Sequence, residues 1–369
     1  MDRIVVVGAG PAGMSAAQEL RAGGHTGEIV VVGAEPHRPY RRPPLSKEFL
    51  LGEHARAPLL HDDLRLTWLR GRTATGLDLR ARQVLLDDRR LIDFDGLVIA
   101  TGVRPRRLPH ITPALVLRTL DDARALRARL ASRPRVVVVG AGFLGGEIAA
   151  TARELGLSVS IVDRSVVPLH RALGPVVGQL MAELHREHGV RLHPGRTVEA
   201  VNSTGTVRLD DGTVLEADLL ITALGSRPET EWVRGSGLDV DNGVLVDDDG
   251  LAAPGVIAAG DVARWPQPLL DGQPRRVEHH VTAVEQAARA ARALLGLPCG
   301  PAPIPSFWSH LYGRRLQAVG HTGAAYESQL VATAPGGRFL AEYRSRGRLV
   351  GAVAVGMSRD LAALRRELV

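Results

Sequence analysis

Cysteine is almost missing from this chain, with Cys299 alone in 369 residues. One thiol cannot form an internal disulfide or a CxxC redox pair, and it cannot build an all-cysteine iron–sulfur site. Redox chemistry, if there is any, therefore belongs to a bound cofactor. Lysine is equally scarce. Lys47 is the one lysine among 46 basic residues, and the arginine excess reads as a coding bias. Aromatic residues make up 4% and do not alternate with basic ones, so the net charge of +6 does not point to nucleic acid. Long apolar runs are missing too, since none reaches the roughly 18 uncharged residues that span a bilayer. The apolar start at Ile4 is broken by Gly8, Gly10, Pro11 and Gly13, so it reads as a buried strand and not as a signal peptide. These absences predict a cytoplasmic protein with no membrane association.

What is present is patterned glycine. With 45% hydrophobic and 23% charged residues the composition is that of an ordinary globular protein, and the length suits two or three domains. Ile4 to Val7 is a β-branched run suited to a central parallel strand, and it leads into Gly8-Ala9-Gly10-Pro11-Ala12-Gly13. In this GxGxxG pattern Gly8 makes the turn, Gly10 admits a pyrophosphate close to the backbone, and Gly13 lets the helix pack on the strand. Glu35 follows a second strand, Ile29 to Val32, where a carboxylate can accept hydrogen bonds from a ribose diol.

The pattern then recurs. Val136 to Val139 is the strand, and Gly140, Gly142 and Gly145 form the turn, with Phe143 and Leu144 between the last two. A helix through Leu155 follows, then strand Val159 to Val162 and Asp163. An isolated GxGxxG is weak evidence, but two in the same strand–helix setting, each with an acidic residue after the second strand, predict two dinucleotide sites. FAD and a nicotinamide are the obvious pair for a hydride donor and acceptor held face to face. The first site is expected to hold FAD, because residues 255–261 form another short strand ending at Gly260 and Asp261, where the carboxylate can meet the ribityl or pyrophosphate region. The strand ends "LVIATG" (97–102), with Ala100, Thr101 and Gly102, and "LLITALGSRP" (219–228), with Gly225, read as crossing points between domains.

The glycine motif Gly8 to Gly13, "YRRPPLSK" (40–47), "ATG" (100–102), "GAGFLGGEIAA" (140–150), "AAGDVA" (258–263), "EQA" (285–287) and "FWSHLYGRRLQAVG" (307–320) fall in a known order. From residue 3 to about 365 the chain resembles FAD-dependent ferredoxin reductases of the putidaredoxin reductase and oxygenase-coupled type, within the glutathione-reductase-like fold. The resemblance implies an α/β fold with two Rossmann-like dinucleotide-binding domains, one inserted in the other, and a small C-terminal α+β domain. The expected divisions are 1–111 with 236–301 for FAD, 112–235 for NAD, and 302–369. In the last, residues 338–356 read as an antiparallel hairpin turning at Gly347, followed by a short amphipathic helix from Leu361 to Leu368.

The resemblance also implies site residues. It puts Ala12, Glu35, Lys47, Ala74, Arg118, Asp261 and His280 around FAD, with Arg42 opening the RPPLSK stretch and Trp308 near the flavin ring. It pairs Lys47 with Glu147 beside the flavin N5 and the incoming nicotinamide. Glu278-His279-His280 lies at the flavin's carbonyl edge, where a histidine either bonds the ring or touches FAD through its backbone alone; the second reading is preferred. Disulfide reductases of this fold carry a cysteine pair, whereas this chain reads Pro44-Leu45-Ser46-Lys47 there, and Cys299 sits in the linker "GLPCGPAPIP".

Asp163 is placed to bond a ribose diol and repel a 2′-phosphate, which favours NADH, although Arg164 beside it leaves NADPH open. The implied activity is hydride transfer from NADH to FAD, then single electrons to an acidic iron–sulfur ferredoxin serving a haem-thiolate monooxygenase or a Rieske oxygenase. Two other readings stay open: a signalling or assembly protein of the apoptosis-inducing type, and a direct NADH oxidase or quinone reductase. No metal site is expected. Candidate arginines for an acidic partner are Arg38, Arg41, Arg104, Arg106, Arg107, Arg314 and Arg315.

Overall fold

The computed structural model describes residues 1–53, 64–108, 114–202 and 205–368. The described residues form two compact units, one of residues 1–41, 64–104 and 227–305, the other of residues 42–53, 105–108, 114–202, 205–226 and 306–368. The chain leaves the first unit after Arg104 and returns to it after Ser226. The domain boundary expected at residues 111 and 112 lies outside the described residues. The helices are α1 (Pro11–Ala22), α2 (Glu48–Leu51), α3 (Leu120–Leu130), α4 (Phe143–Glu154), α5 (His170–Glu187), α6 (His280–Leu294) and α7 (Ser358–Glu367). No described helix is long and apolar enough to cross a membrane.

The first unit is built on a six-stranded sheet in the order Leu251–Ala253, Val256–Ala258, Gly96–Ile99, Arg3–Val7, Glu28–Gly33 and Thr67–Arg70. All neighbours from Val256–Ala258 onward are parallel. Strands covered on both faces read as continuous valine and isoleucine runs, and Ile4, Val5, Val6 and Val31 are fully buried. Helices α1 and α6 pack together, and Ser15 Oγ donates to the Val284 carbonyl at 2.8 Å. Because the Arg3–Val7 strand has Glu28–Gly33 on one side and Gly96–Ile99 on the other, the turn that follows it opens where the strand order reverses. In such sheets that is where a ligand binds.

The second unit repeats the plan. Its parallel sheet runs Arg191–Pro194, Val159–Asp163, Val136–Val139, Leu219–Thr222, with the glycine-turn strand again central. It also holds an antiparallel five-stranded sheet in the order Ser306–Leu311, Arg314–Gly320, Arg348–Val355, Arg338–Ser345, Glu327–Ala334, with α7 packed on it. The expected hairpin is present, and its two turn residues, Arg346 and Gly347, both take positive φ (51° and 76°). Helix α7 starts at Ser358, earlier than the apolar spacing predicts, because its first turn is polar and only Leu361 and Leu364 are buried.

Two features of α5 follow from local chemistry. Gly174 takes φ 72° and ψ 178° directly before Pro175, so the helix is broken there. The neighbouring Leu173 carbonyl accepts a 2.7 Å hydrogen bond from the buried Tyr343 hydroxyl. Near its other end α5 anchors the Tyr312-Gly313 turn. Tyr312 has φ 53°, unusual for a bulky side chain, and its ring is held by stacking on His188 and by a 2.7 Å hydrogen bond between its hydroxyl and His185 Nδ1.

Candidate active site

The two glycine turns match position by position. Gly8 and Gly140 take φ 118° and 109°, and their N–H groups donate to the Val32 and Val162 carbonyls at 2.8 Å. A Cβ on Gly8 would overlap the Ala100 carbonyl, and one on Gly140 would overlap that of Ala223. A Cβ on Gly13 or Gly145 would strike the carbonyl of the first glycine of its own turn. Gly10 and Gly142, the residues that cap α1 and α4, differ. A Cβ there would meet nothing within 4 Å. Each turn therefore combines packed glycines with one facing open space at a helix N-terminus, where backbone N–H groups and the helix dipole favour an anion. That fits the pyrophosphate of a dinucleotide.

The acidic residues are fixed in different ways. Tyr40, 6% exposed, donates from its hydroxyl to Glu35 Oε2 at 2.5 Å. The Asp163 carboxylate is held by main chain, with the N–H groups of Ala141 and Ser165 donating to Oδ2 and Oδ1, each at 2.6 Å. It is thus pinned to the second glycine turn.

In the first unit the structure brings Gly8, Gly10, Ala12, Gly13, Ala100 and Gly260 together. A Cβ on Gly260 would come within 2.9 Å of the Ala12 Cβ, which sets Asp261 beside the first turn. Thr101 Oγ1 donates to the Glu229 carbonyl at 2.7 Å, Gly102 takes φ 70°, and Ala74 is buried at the start of the Ala74–Asp78 strand. Arg276 Nη1 donates both to the Asp261 carbonyl (2.9 Å) and to Glu278 Oε1 (2.7 Å). His279 and His280 occupy the cap and first turn of α6. Burial lowers the pKa of His280, Arg41 adds to the shift and Asp261 opposes it, so a neutral imidazole is favoured there.

The second unit holds Arg42, Lys47, Arg118, Phe143, Leu144, Glu147, Asp163, Gly225 and Trp308. Pro43–Ser46 forms a 3₁₀ turn that presents Lys47 to α4, and Lys47 Nζ pairs with Glu147 Oε2 at 2.8 Å. Both side chains are largely buried (15% and 10% exposed). Arg42 Nη1 donates to the Arg118 carbonyl at 2.6 Å, tying this turn to the segment before α3. Phe143 meets Phe307 edge to face at 5.0 Å, and the Arg315 guanidinium lies 5.8 Å from the Trp308 ring centre. Gly225 accepts from the Arg106 N–H at 2.9 Å.

Residues 2–287 match the family model described as pyridine nucleotide-disulphide oxidoreductase, and residues 306–368 match one described as reductase C-terminal. The chain belongs to the pyridine nucleotide-disulphide oxidoreductase family. It is 38% identical to the ferredoxin reductase component of chlorobenzene dioxygenase from Cupriavidus sp. (strain PS12), over 98% of this chain and 91% of that one. It is 36% identical to rhodocoxin reductase from Rhodococcus erythropolis, over 99% and 89%. The crystal structure of a covalent putidaredoxin reductase–putidaredoxin complex superposes with a TM-score of 0.94 at 33% identity, covering 100% of this chain and 93% of that one.

Within this oxidoreductase several polar residues escape a reading of motifs. Ser46 and Ser309 both donate to Glu147 at 2.6 Å, and Tyr40 holds Glu35. Both serines lie inside the quoted motifs, and the available signal for Ser309 is its two-residue spacing from Phe307 on one strand face. Among the candidate arginines, Arg104 and Arg106 have side-chain partners within their own units. Arg104 pairs with both Glu229 and Glu231, and Arg106 Nε donates to the Ser226 carbonyl at 2.8 Å.

Proposed function

We propose that this protein is an NADH-dependent ferredoxin reductase, with FAD and NADH as its cofactors and an iron–sulfur ferredoxin as its electron acceptor. The doubled glycine turn carries the reading: two cradles of one geometry in a chain whose single cysteine rules out a dithiol relay. Relatives in Cupriavidus and Pseudomonas putida are named as ferredoxin reductases of dioxygenase systems. Those names support an oxygenase system as the destination of the electrons, either a Rieske oxygenase or a haem-thiolate monooxygenase. When bound, FAD supplies the chemistry that joins a two-electron donor to a one-electron acceptor.

The chain's own residues bind and orient. We assign FAD to the first turn with Ala12, Glu35, Ala74, Ala100, Thr101, Gly102, Gly260 and Asp261, and with Glu278, His279 and His280 at the α6 N-terminus. The family resemblance adds Arg42, Lys47, Arg118 and Trp308 to its contacts. We assign NADH to Gly140, Gly142, Phe143, Leu144 and Gly145, with Asp163 for the ribose diol and Gly225 at the neighbouring strand end. Arg164, which follows Asp163, keeps NADPH as a weaker substrate. Lys47 and Glu147 belong to the hydride-transfer step, which they tune as a positioned pair without reacting covalently. The domain division is 1–111 with 236–301, 112–235, and 302–369, and the location is the cytoplasm. Arg38, Arg41, Arg104, Arg106, Arg107, Arg314 and Arg315 are the candidate contacts for an acidic ferredoxin.

The test is NADH-driven reduction of cytochrome c by the FAD-loaded protein, with and without an acidic two-iron ferredoxin, repeated with NADPH. A large ferredoxin-dependent gain that weakens with salt is expected. Equal rates with and without ferredoxin would overturn the assignment in favour of direct oxidase or quinone chemistry.

A further inference from the structure

The Glu147 carboxylate is held from three directions. Its Oε2 accepts from Lys47 Nζ (2.8 Å) and Ser46 Oγ (2.6 Å), and its Oε1 accepts from Ser309 Oγ (2.6 Å). Glu147, Ser46 and Ser309 are 8%, 4% and 2% exposed, so water has little access to replace a lost donor. The three ammonium hydrogens of Lys47 also have three acceptors, since Nζ lies 3.1 Å from the Pro43 carbonyl and 3.3 Å from Ser46 Oγ. Lysine, Ser46 and Glu147 Oε2 thus close a ring of hydrogen bonds. That ring is anchored to α4 a second time, because Thr151 Oγ1 donates to the Ser46 carbonyl at 2.8 Å, and Thr151 lies one helical turn beyond Glu147.

The Oε1 side has no such redundancy among the described residues. Its donor arrives from a distant strand, Ser306–Leu311, whose register is set by pairing Ser309 with Leu316 and whose Phe307 packs on Phe143 of the same helix. With period two, Phe307 and Ser309 share the face turned to α4. The hold on Oε1 thus comes from Ser309, and the torsion of a carboxylate about its terminal bond is otherwise soft.

We propose that Ser309 is a positioning residue for the reaction, its hydroxyl fixing the plane of the Glu147 carboxylate so that Oε2 engages Lys47 in one geometry during hydride transfer. The inference rests on the assignment of Lys47 and Glu147 to that step. Ser46 belongs to the Lys47 ring, whereas Ser309 orients the carboxylate from its other oxygen.

Stopped-flow reduction of FAD-loaded Ser309→Ala, Ser309→Cys and Glu147→Gln by NADH tests it, together with the visible spectrum of the bound flavin in the absence of nucleotide. Ser309→Ala is expected to lower the limiting rate about tenfold while the apparent Kd for NADH stays within about twofold. Its flavin spectrum is expected to move in the direction set by Glu147→Gln. Ser309→Cys, similar in size but a weak donor, is expected to show a smaller defect of the same kind, and it carries the test if the alanine variant loses FAD. Wild-type limiting rates and spectra in both Ser309 variants, with Glu147→Gln slow, would show that the hydroxyl is structural alone. An unchanged rate in Glu147→Gln would instead remove the pair from the step, and the role of Ser309 with it.

Discussion

A missing Cβ serves two separate ends within each glycine turn, and substitution separates them. At Gly140 an alanine meets both a φ of 109° and the Ala223 carbonyl, so Gly140→Ala is expected to destabilise the protein by at least about 2 kcal/mol, read by thermal unfolding. At Gly142 the φ is −75° and the space is open, so Gly142→Ala is expected to fold normally and lose affinity in an NAD⁺ titration. Equal melting temperatures for the two variants would contradict this division. Tyr40→Phe removes a hydrogen bond to the Glu35 carboxylate and is expected to weaken FAD retention about tenfold, measured by cofactor release. Lys47 stands out in the sequence because it is the single lysine, whereas its pairing with Glu147 is implied by family resemblance alone. The roles of Ser46, Ser309 and Tyr40 are not legible there, since even the two-residue spacing that puts Ser309 on the face of Phe307 does not name its partner, which is chosen by pairing across the fold.

At the scale of elements, the join between α5 and the Tyr312-Gly313 turn confers a pH dependence. Burial, with a smaller contribution from His188, brings His185 down to about 4 from its ordinary 6.5. Burial likewise raises the pKa of Tyr312, which stays neutral. Since the unfolded chain takes up the imidazole proton first, His185 favours folding fully above pH 6.5 and progressively less as the pH falls toward 4. The loss amounts to up to about 3 kcal/mol. His185→Gln, which keeps a hydrogen-bonding group without the titration, is expected to flatten urea midpoints between pH 6.5 and 4; an unchanged slope would remove His185 as the cause. Strands such as Arg3–Val7 and Val136–Val139 are legible from their β-branched runs. The early start of α7 is not, because Ser358, Arg359 and Asp360 carry no apolar spacing.

At the scale of the whole molecule, the family takes its name from disulphide chemistry, yet this member has one thiol. Burial raises the pKa of Cys299, and its Sγ lies 3.5 Å from the Arg289 carbonyl, so it is a poor nucleophile at neutral pH. Cys299→Ser, and treatment of the wild type with iodoacetamide, are both expected to leave ferredoxin-dependent turnover unchanged; inhibition by either would reopen a thiol step. The duplicated domain plan is readable from the sequence since each glycine motif sits between a strand and a helix. The grouping of residues 42–53 with the second unit is not, because nothing in RPPLSK announces which sheet it will join.

The isolated lysine has a practical sequel. Reductive methylation with ¹³C-formaldehyde modifies amines and preserves their charge, and this protein has only the terminal amine and Lys47 to offer. Lys47 would then give the methyl signal of a side-chain amine, and because labelling replaces ammonium hydrogens that Pro43, Ser46 and Glu147 accept, its extent reports how tightly that ring is closed. A chain nearly devoid of lysine thus carries one side-chain amine reporter, placed on the Lys47–Glu147 ion pair.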